Sequence, residues 1–205
     1  TIDISLFNQQ LKQLIKGEQV SLPTFNFVKG EKEYNNRFLR LKENDILVIE
    51  GLHTLNEKLT SEIPRDRKVK IYIGPFTPLS IDSYNHISTS DVRLLRRIIR
   101  DNRTRGHNVE ATLKMWEKVR AGEEIYVFPY QDEADYVFNT ALIYEIGVLK
   151  VYVEPLLFGI DINSPYYEDA KRLIRFLRMF FPIPTDGIPS DSILREFIGK
   201  SCFYE

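Results

Sequence analysis

The chain has 205 residues, and its 28 Lys and Arg against 29 Asp and Glu leave a net charge of −1 at pH 7. Near neutrality argues against a general binder of nucleic acids or membrane surfaces, since such proteins carry a large basic excess. No apolar run approaches the length of a membrane span, so we expect no membrane partner. The single cysteine, Cys202, excludes a disulfide within the chain. This is typical of the reducing cytoplasm, where we expect the protein.

The first part of the sequence predicts one helix followed by extended segments. Asp3 or Ser5 caps a helix that ends at Gly17, because apolar residues recur between them at helical spacing. Residues 20–28 are predicted to be extended, since a proline interrupts any helix there. Residues 29–40 are polar and are predicted to form a loop or a hairpin.

Three short apolar runs predict buried strands. They cover residues 45–51, 68–74 and 134–139. Helical segments separate them, which is typical of a buried parallel sheet, so we expect an α/β fold. Further helices are predicted over residues 91–106, 108–120, 140–145, 165–181 and 190–198. Residues 148–157 are apolar and leave both a helix and a strand open.

The predicted helix over residues 91–106 carries a strongly basic face. At about 100° per residue, four arginines fall inside one arc of roughly 100°, and leucines and isoleucines fill the opposite arc. These arginines are Arg93, Arg96, Arg97 and Arg100. No acid is predicted to relieve their repulsion, because Asp91 and Asp101 only flank the cluster. The pattern favours an anionic partner such as a polyphosphate, which arginine forks bind in pairs; a solvated basic face is the alternative.

Polar residues at the predicted strand ends are further candidates. Glu50 directly follows an apolar run, where P-loop proteins hold the water shell of Mg²⁺, although an acid capping a strand end would look the same. His53 either reaches the same cleft or is structural. Asp135 and Asn139 begin and end the third strand, which favours turn formation over catalysis. The chain contains no Gly-x-x-x-x-Gly-Lys-Ser/Thr loop, which cradles nucleotide phosphates.

Four segments, in one order and spacing, resemble the uridine kinase / phosphoribulokinase family of P-loop kinases. They are residues 17–27, residues 45–53 with the wording Glu-Gly-Leu-His, the arginine segment through Arg105 and Gly106, and residues 133–139. Residues 165–199 resemble the C-terminal extension of longer bacterial uridine-kinase-like proteins. The resemblance implies a P-loop kinase-type parallel sheet flanked by helices, incomplete at the N-terminus, with a helical C-terminal extension. The implied domains are a kinase domain over residues 1–147 and an extension over residues 148–205 packed on it.

The resemblance implies transfer of the γ-phosphoryl group of ATP, with Mg²⁺, to a hydroxyl of a nucleoside or a related small sugar. Arg97, Arg100 and Arg105 match lid arginines that approach the nucleotide phosphates and the reacting centre. Arg96 belongs to the same pattern less closely. Glu50 matches the acid of the second nucleotide-binding motif and would hold the metal ion through water.

Four positions depart from the uridine kinases where those proteins recognise their substrate. A tyrosine is replaced by Phe25, a loop histidine by Gly30, a helix glutamine by Met115 and an arginine by His107. Because polar partners for uracil are lost, weak discrimination for uridine or a different acceptor is expected, although the reaction type is unchanged. The candidate substrate-binding residues are Phe25, His53, Arg96 and His107.

The family's P-loop strand and the strand with its catalytic aspartate would precede Thr1. The P-loop strand would then separate the strands at residues 46–50 and 69–74. We therefore expect this chain alone to bind ATP weakly and to be inactive. Its expected partners are the missing N-terminal kinase segment and the small-molecule acceptor, and a homo-oligomer is left open. The alternative function is a non-catalytic regulatory domain that binds a nucleotide or RNA through its arginine helix; a structural scaffold is a third.

Overall fold

The computed structural model describes residues 2–26, 31–77, 79–84 and 86–203. The chain divides into two compact units. The first comprises Thr1–Tyr72 and Glu123–Tyr136, and the second comprises Ile73–Gly122 and Val137–Glu205. Helices together with a small parallel sheet agree with the α/β class expected from the sequence. The predicted boundary between residues 147 and 148 falls inside a helix, and the division into a kinase domain and an extension stays a prediction.

Most of the regular structure is helical. The helices are α1 (Ile4–Ile15), α2 (Thr89–Thr104), α3 (Val109–Tyr126), α4 (Glu145–Phe158), α5 (Tyr167–Leu177) and α6 (Arg195–Ile198). Short 3₁₀ turns occupy Glu57–Thr60, Arg65–Arg67 and Phe128–Glu133. The predictions of α1, α2 and α3 are confirmed, whereas α5 and α6 are shorter than predicted. In the part of the chain that the structure describes, no helix is both long and apolar enough to span a bilayer.

The helix predicted over residues 140–145 is wrong. The amide of Ala141 donates to the Asn139 side chain at 2.9 Å, which turns the backbone directly after a strand. Helix α4 therefore begins only at Glu145. It takes in residues 148–157, whose type the sequence left open.

Short strands pair two by two among the described residues. They are β1 (Val20–Ser21), β2 (Thr24–Asn26), β3 (Glu31–Glu33), β4 (Phe38–Leu39), β5 (Ile71–Gly74) and β6 (Tyr136–Asn139). β1 pairs antiparallel with β4, and β2 pairs antiparallel with β3. β5 pairs with β6, and the two run parallel because Tyr136 N donates to Lys70 O and Thr140 N donates to Gly74 O. The strand predictions for residues 68–74 and 134–139 are thus confirmed.

The strand predicted over residues 45–51 is wrong. Residues 45–50 have no regular structure, and no described strand pairs with them. Ile46 and Val48 are 88% and 83% exposed. A strand is stabilised only when a neighbouring strand takes up its amides and carbonyls, and this segment has no such neighbour among the described residues.

In the first unit, α1 packs on the 3₁₀ turn at Glu57–Thr60. The Asp3 side chain caps α1, as predicted. Asn8 is buried, and its amide donates to the carbonyl of Leu59 at 3.0 Å, which joins the helix to the turn. Leu14 and its apolar neighbours complete a small core.

In the second unit, α2, α4, α5 and α6 surround one apolar core. The apolar face predicted for α2 is buried there, with Leu94, Leu95, Ile98 and Ile99. Gly147 allows the backbone at Phe181 to pass close to α4, because a Cβ at position 147 would lie 2.7 Å from the carbonyl oxygen of Phe181. Helix α2 is therefore a core element of this unit.

Candidate active site

Asp101 lies on α2 and is fully buried, with 0% of its side chain exposed. Its Oδ2 accepts a hydrogen bond from Arg97 Nε at 3.1 Å, and its Oδ1 accepts one from Arg105 Nη1 at 3.1 Å. The prediction that no acid relieves the arginines is therefore wrong. Each arginine stands four residues from Asp101, which is one helical turn, so the carboxylate reaches both.

The backbone at the end of α2 fixes the same aspartate. The amides of Arg105 and His107 both donate to the carbonyl of Asp101 at 3.1 Å. Gly106 lies between them with a φ of +66°, a conformation that favours glycine and ends the helix. Helix α3 adds the hydroxyl of Thr112, 3.4 Å from Asp101 Oδ2. We call this group the Asp101 cluster: Arg97, Asp101, Arg105 and Thr112.

The Asp101 cluster presents cationic groups in fixed positions. The Arg105 side chain is 48% exposed, while the carboxylate that holds it is buried. Each guanidinium uses one N–H on Asp101. Because a guanidinium carries five N–H donors, others remain for an external anion. Such forks match phosphate oxygens, and a pre-positioned fork loses little entropy when it binds them.

Arg100 and Arg96 have other partners. Arg100 Nη1 lies 3.3 Å from Glu196 Oε1 in α6. Arg96 is buried and forms an ion pair with Glu145, and its Nη2 donates to the carbonyl of Thr140 at 3.0 Å. Burial raises the pKa of Glu145 above its ordinary value, although the charge of Arg96 acts in the opposite direction. The part of Arg96 in substrate binding stays a prediction.

Glu50, His53 and Phe25 belong to the first unit. Glu50 is exposed, and within the described chain its carboxylate has no ion pair. The His53 ring packs edge-on against Tyr126, with 5.5 Å between the ring centroids. Phe25 lies in β2 opposite Lys32 of β3. Gly30 lies outside the described residues.

No cluster of metal-ligating side chains surrounds Glu50 among the described residues. These residues contain no group of three or more His, Cys, Asp or Glu side chains that could hold a metal ion. Mg²⁺ keeps several of its waters and is often bound by one or two carboxylates together with substrate phosphates. An exposed, unpaired carboxylate at Glu50 fits that kind of site and does not fit an all-protein metal cage.

Asp135 and Asn139 both organise the backbone beside β5. Asp135 Oδ2 accepts the amide of Lys70 at 2.7 Å, and Arg65 pairs with the same carboxylate. The hydrogen bond from the Lys70 amide and then the contact with Arg65 lower the pKa of Asp135. Asn139 exchanges two hydrogen bonds with the backbone of Phe76, at 2.9 and 2.8 Å. These contacts agree with the turn-forming alternative for both residues.

Sequence reasoning missed three acids that contact the arginines. Asp101 has a signal in the sequence, since arginines stand four residues before and four residues after it. Glu145 and Glu196 have none, because they lie 49 and 96 residues from the arginines that they contact. Arg100, the predicted catalytic arginine outside the Asp101 cluster, therefore has a partner, Glu196, that only the tertiary structure reveals.

Comparison with known proteins identifies the family. Residues 1–146 match the sequence profile of the phosphoribulokinase / uridine kinase family, so the chain belongs to this family and the resemblance seen in its motifs is confirmed. A uridine kinase of Staphylococcus haemolyticus (strain JCSC1435) is 24% identical over 136 residues. Uridine kinases of Staphylococcus aureus strains JH9 and Newman show the same identity over the same length. The aligned part is 66% of this chain and 57% of each relative, so the chain spans little more than half the length of these proteins.

Proposed function

We propose that this chain is part of an ATP-dependent kinase that transfers the γ-phosphoryl group to a hydroxyl of a nucleoside or a related small sugar. Membership of the phosphoribulokinase / uridine kinase family supports the reaction type. The observation that carries the proposal is the Asp101 cluster, in which one buried carboxylate holds Arg97 and Arg105. The family resemblance implies that both arginines approach the transferring phosphoryl group.

The two arginines would act electrostatically. In phosphoryl transfer, negative charge spreads over the equatorial oxygens while the attacking and leaving oxygens stay in line. Guanidinium groups that are already positioned stabilise this charge without reorganising at the moment of reaction. The acceptor hydroxyl forms the new P–O bond, the bond to the bridging oxygen breaks, and ADP leaves. The hydroxyl proton would pass to a carboxylate, such as the catalytic aspartate that the family resemblance implies.

Glu50 would hold the metal ion through water. A bound Mg²⁺ would neutralise charge on the β- and γ-phosphates of ATP. The carboxylate of Glu50 is exposed and unpaired within the described chain, so no ion pair has to break for it to accept hydrogen bonds from metal-bound water.

We also propose that a further kinase segment pairs with residues 45–50. The support is physical: this segment is apolar and has no strand partner among the described residues. Ile46 and Val48 are exposed, although apolar β-branched residues of this kind are typical of buried strands. A strand beside this segment would bury them and bring Glu50 to a strand end.

The test is an activity screen of the whole purified protein, meaning this chain together with the further kinase segment proposed above. It is incubated with γ-labelled ATP and Mg²⁺, with a panel of nucleosides and small sugars as acceptors, and labelled products are separated by ion exchange. We expect phosphorylation of at least one acceptor, and its loss when EDTA removes the metal. Nucleotide binding without turnover on any acceptor would contradict the kinase and favour the non-catalytic regulatory domain.

A further inference from the structure

Helix α6 lies against the arginine face of α2. Arg100 Nη1 is 3.3 Å from Glu196 Oε1. Arg103 Nη1 donates to the carbonyl oxygens of Glu196 at 3.0 Å and of Arg195 at 3.5 Å. The segment thus offers one carboxylate and two carbonyl oxygens to two neighbouring arginines. Oxygens of this kind are what a phosphate chain would offer to the same donors.

The backbone of this segment is firmly held. Phe197 is buried in the core of the second unit, and its ring lies 5.3 Å from the guanidinium carbon of Arg96. The Arg195 side chain donates to the carbonyl of Thr185 at 3.1 Å. The amide of Gly199 donates to the carbonyl of Arg195 at 2.9 Å, which closes the short helix. These contacts hold the backbone of the segment in place on α2.

The Glu196 carboxylate, in contrast, can dissociate from Arg100 without any change in the backbone. Its side chain is 51% exposed, and the pair with Arg100 is a single N–H···O contact at the surface. Ion pairs of this kind are weak, because water and salt compete with them. A polyphosphate carries several negative charges and can bind two guanidinium groups at once, so it can displace one carboxylate.

We infer that Glu196 is an internal competitor for phosphate at Arg100, and that the C-terminal segment keeps this arginine from binding weaker anions until a polyphosphate displaces the carboxylate. This inference rests on the proposed function, because it concerns the same arginines. The family profile matches residues 1–146. The inference therefore gives the part of the chain beyond that match a direct influence on the phosphate site. Arg97 and Arg105 keep their own partner, Asp101, throughout.

The experiment measures binding of inorganic tripolyphosphate to the whole purified protein by isothermal titration calorimetry. Four forms make a double-mutant cycle: the natural protein, Glu196→Gln, Arg100→Ala, and both changes together. Glu168→Gln is the matched control, because Glu168 is an exposed acid on α5 that pairs with Lys171 at 3.3 Å and its replacement changes the net charge equally. We expect Glu196→Gln to tighten binding by about two- to fivefold, as the loss of an exposed ion pair allows.

The cycle decides the inference. In the Arg100→Ala background, Glu196→Gln should bring no gain, since the arginine that it releases is absent. The inference is overturned if Glu196→Gln changes the affinity no more than Glu168→Gln does, if the gain persists without Arg100, or if neither the natural protein nor Glu196→Gln binds tripolyphosphate. The proposed function is tested separately by phosphoryl transfer. If the protein is an active kinase but Glu196→Gln does not change its affinity for tripolyphosphate, only the competition by Glu196 is refuted.

Discussion

Arg96 and Glu145 form an ion pair that is almost closed to solvent, with side chains 8% and 1% exposed. The pair joins α2 to the first residue of α4, and the carbonyl of Thr140 accepts a further hydrogen bond from Arg96 at 3.0 Å. Arg96, a candidate substrate-binding residue, is therefore part of the packing of the second unit. Its substitution should act first on stability.

Replacing Arg96 by methionine should destabilise the protein by about 3–5 kcal/mol, because Glu145 then stays buried without its partner. The double change Arg96→Met with Glu145→Leu should recover most of this loss, since no lone charge remains. Urea unfolding can be followed by the fluorescence of Trp116, the single tryptophan, which packs on this core. A loss below about 1 kcal/mol, the range of an exposed pair, would show that the pair is solvated in solution.

Replacing Asp101 by asparagine should reduce kcat more than it raises the KM for ATP. The neutral amide no longer fixes both guanidinium groups, and their alignment matters most when charge develops in the transition state. Hydrogen bonds to charged groups contribute about 1.5–3 kcal/mol each, so the change should also lower the melting temperature. Asp91→Asn is the control, because Asp91 is an α2 acid held by Arg172 through two bonds of 2.9 Å. Equal effects of the two variants on kcat would refute this positioning role.

Glu57 should make the first unit sensitive to acid. The hydrogen bond from Lys68, and then the one from Lys70, lower the pKa of Glu57 below its ordinary value of 4.5. A lowered pKa means that the ionised form stabilises the fold at neutral pH, and that this contribution is lost as the pH falls below 4.5 and through the folded-state pKa.

At pH 7, Glu57→Gln should therefore cost about 0.2–1 kcal/mol, as measured by urea unfolding, and near pH 3 the difference from the natural protein should shrink. Glu43→Gln, at an exposed acid of the same unit, serves as the control. A difference that stays constant between the two pH values would contradict the lowered pKa.

The acceptor is expected to be less restricted than in the uridine kinases. The family resemblance implies that Phe25 stands where uridine kinases carry a polar recognition residue, and a pocket that lacks such a partner discriminates weakly. Phe25→Tyr should raise the kcat/KM for uridine relative to other acceptors by about two- to tenfold, the value of one hydrogen bond. Competition assays across nucleosides and small sugars measure this ratio. A preference of the natural protein for uridine and cytidine by about a hundredfold or more over all other acceptors would show the prediction wrong.

The sequence predicts elements whose signal is local. The cap at Asp3, the parallel strands at residues 68–74 and 134–139, and the buried leucines of α2 follow from spacing and residue type alone. Residues 45–50 have the same strand signal, yet they form no strand, because pairing depends on a neighbour that no local pattern supplies.

The arginines of α2 show the same limit at the candidate site. Helical spacing places them on one face correctly, but it cannot tell which of them bind acids of their own chain. Asp101 satisfies the helical rule of four residues, but its place at the edge of the arginine cluster predicts only a flanking acid. Glu145 and Glu196 depend on how α4 and α6 pack on α2, which follows from the shared core.

The most direct test of the account is the rate of phosphoryl transfer from ATP by the whole protein and by its Arg105→Ala variant, with the best acceptor from the screen. Arg175→Ala, at an exposed arginine of α5, is the control for the loss of one positive charge. We predict that Arg105→Ala lowers kcat by about 10³–10⁵, the range for arginines that stabilise a transferring phosphoryl group, while Arg175→Ala keeps the natural rate. A change of less than about threefold in kcat/KM for Arg105→Ala would contradict the central claim that the Asp101 cluster faces the reacting phosphates.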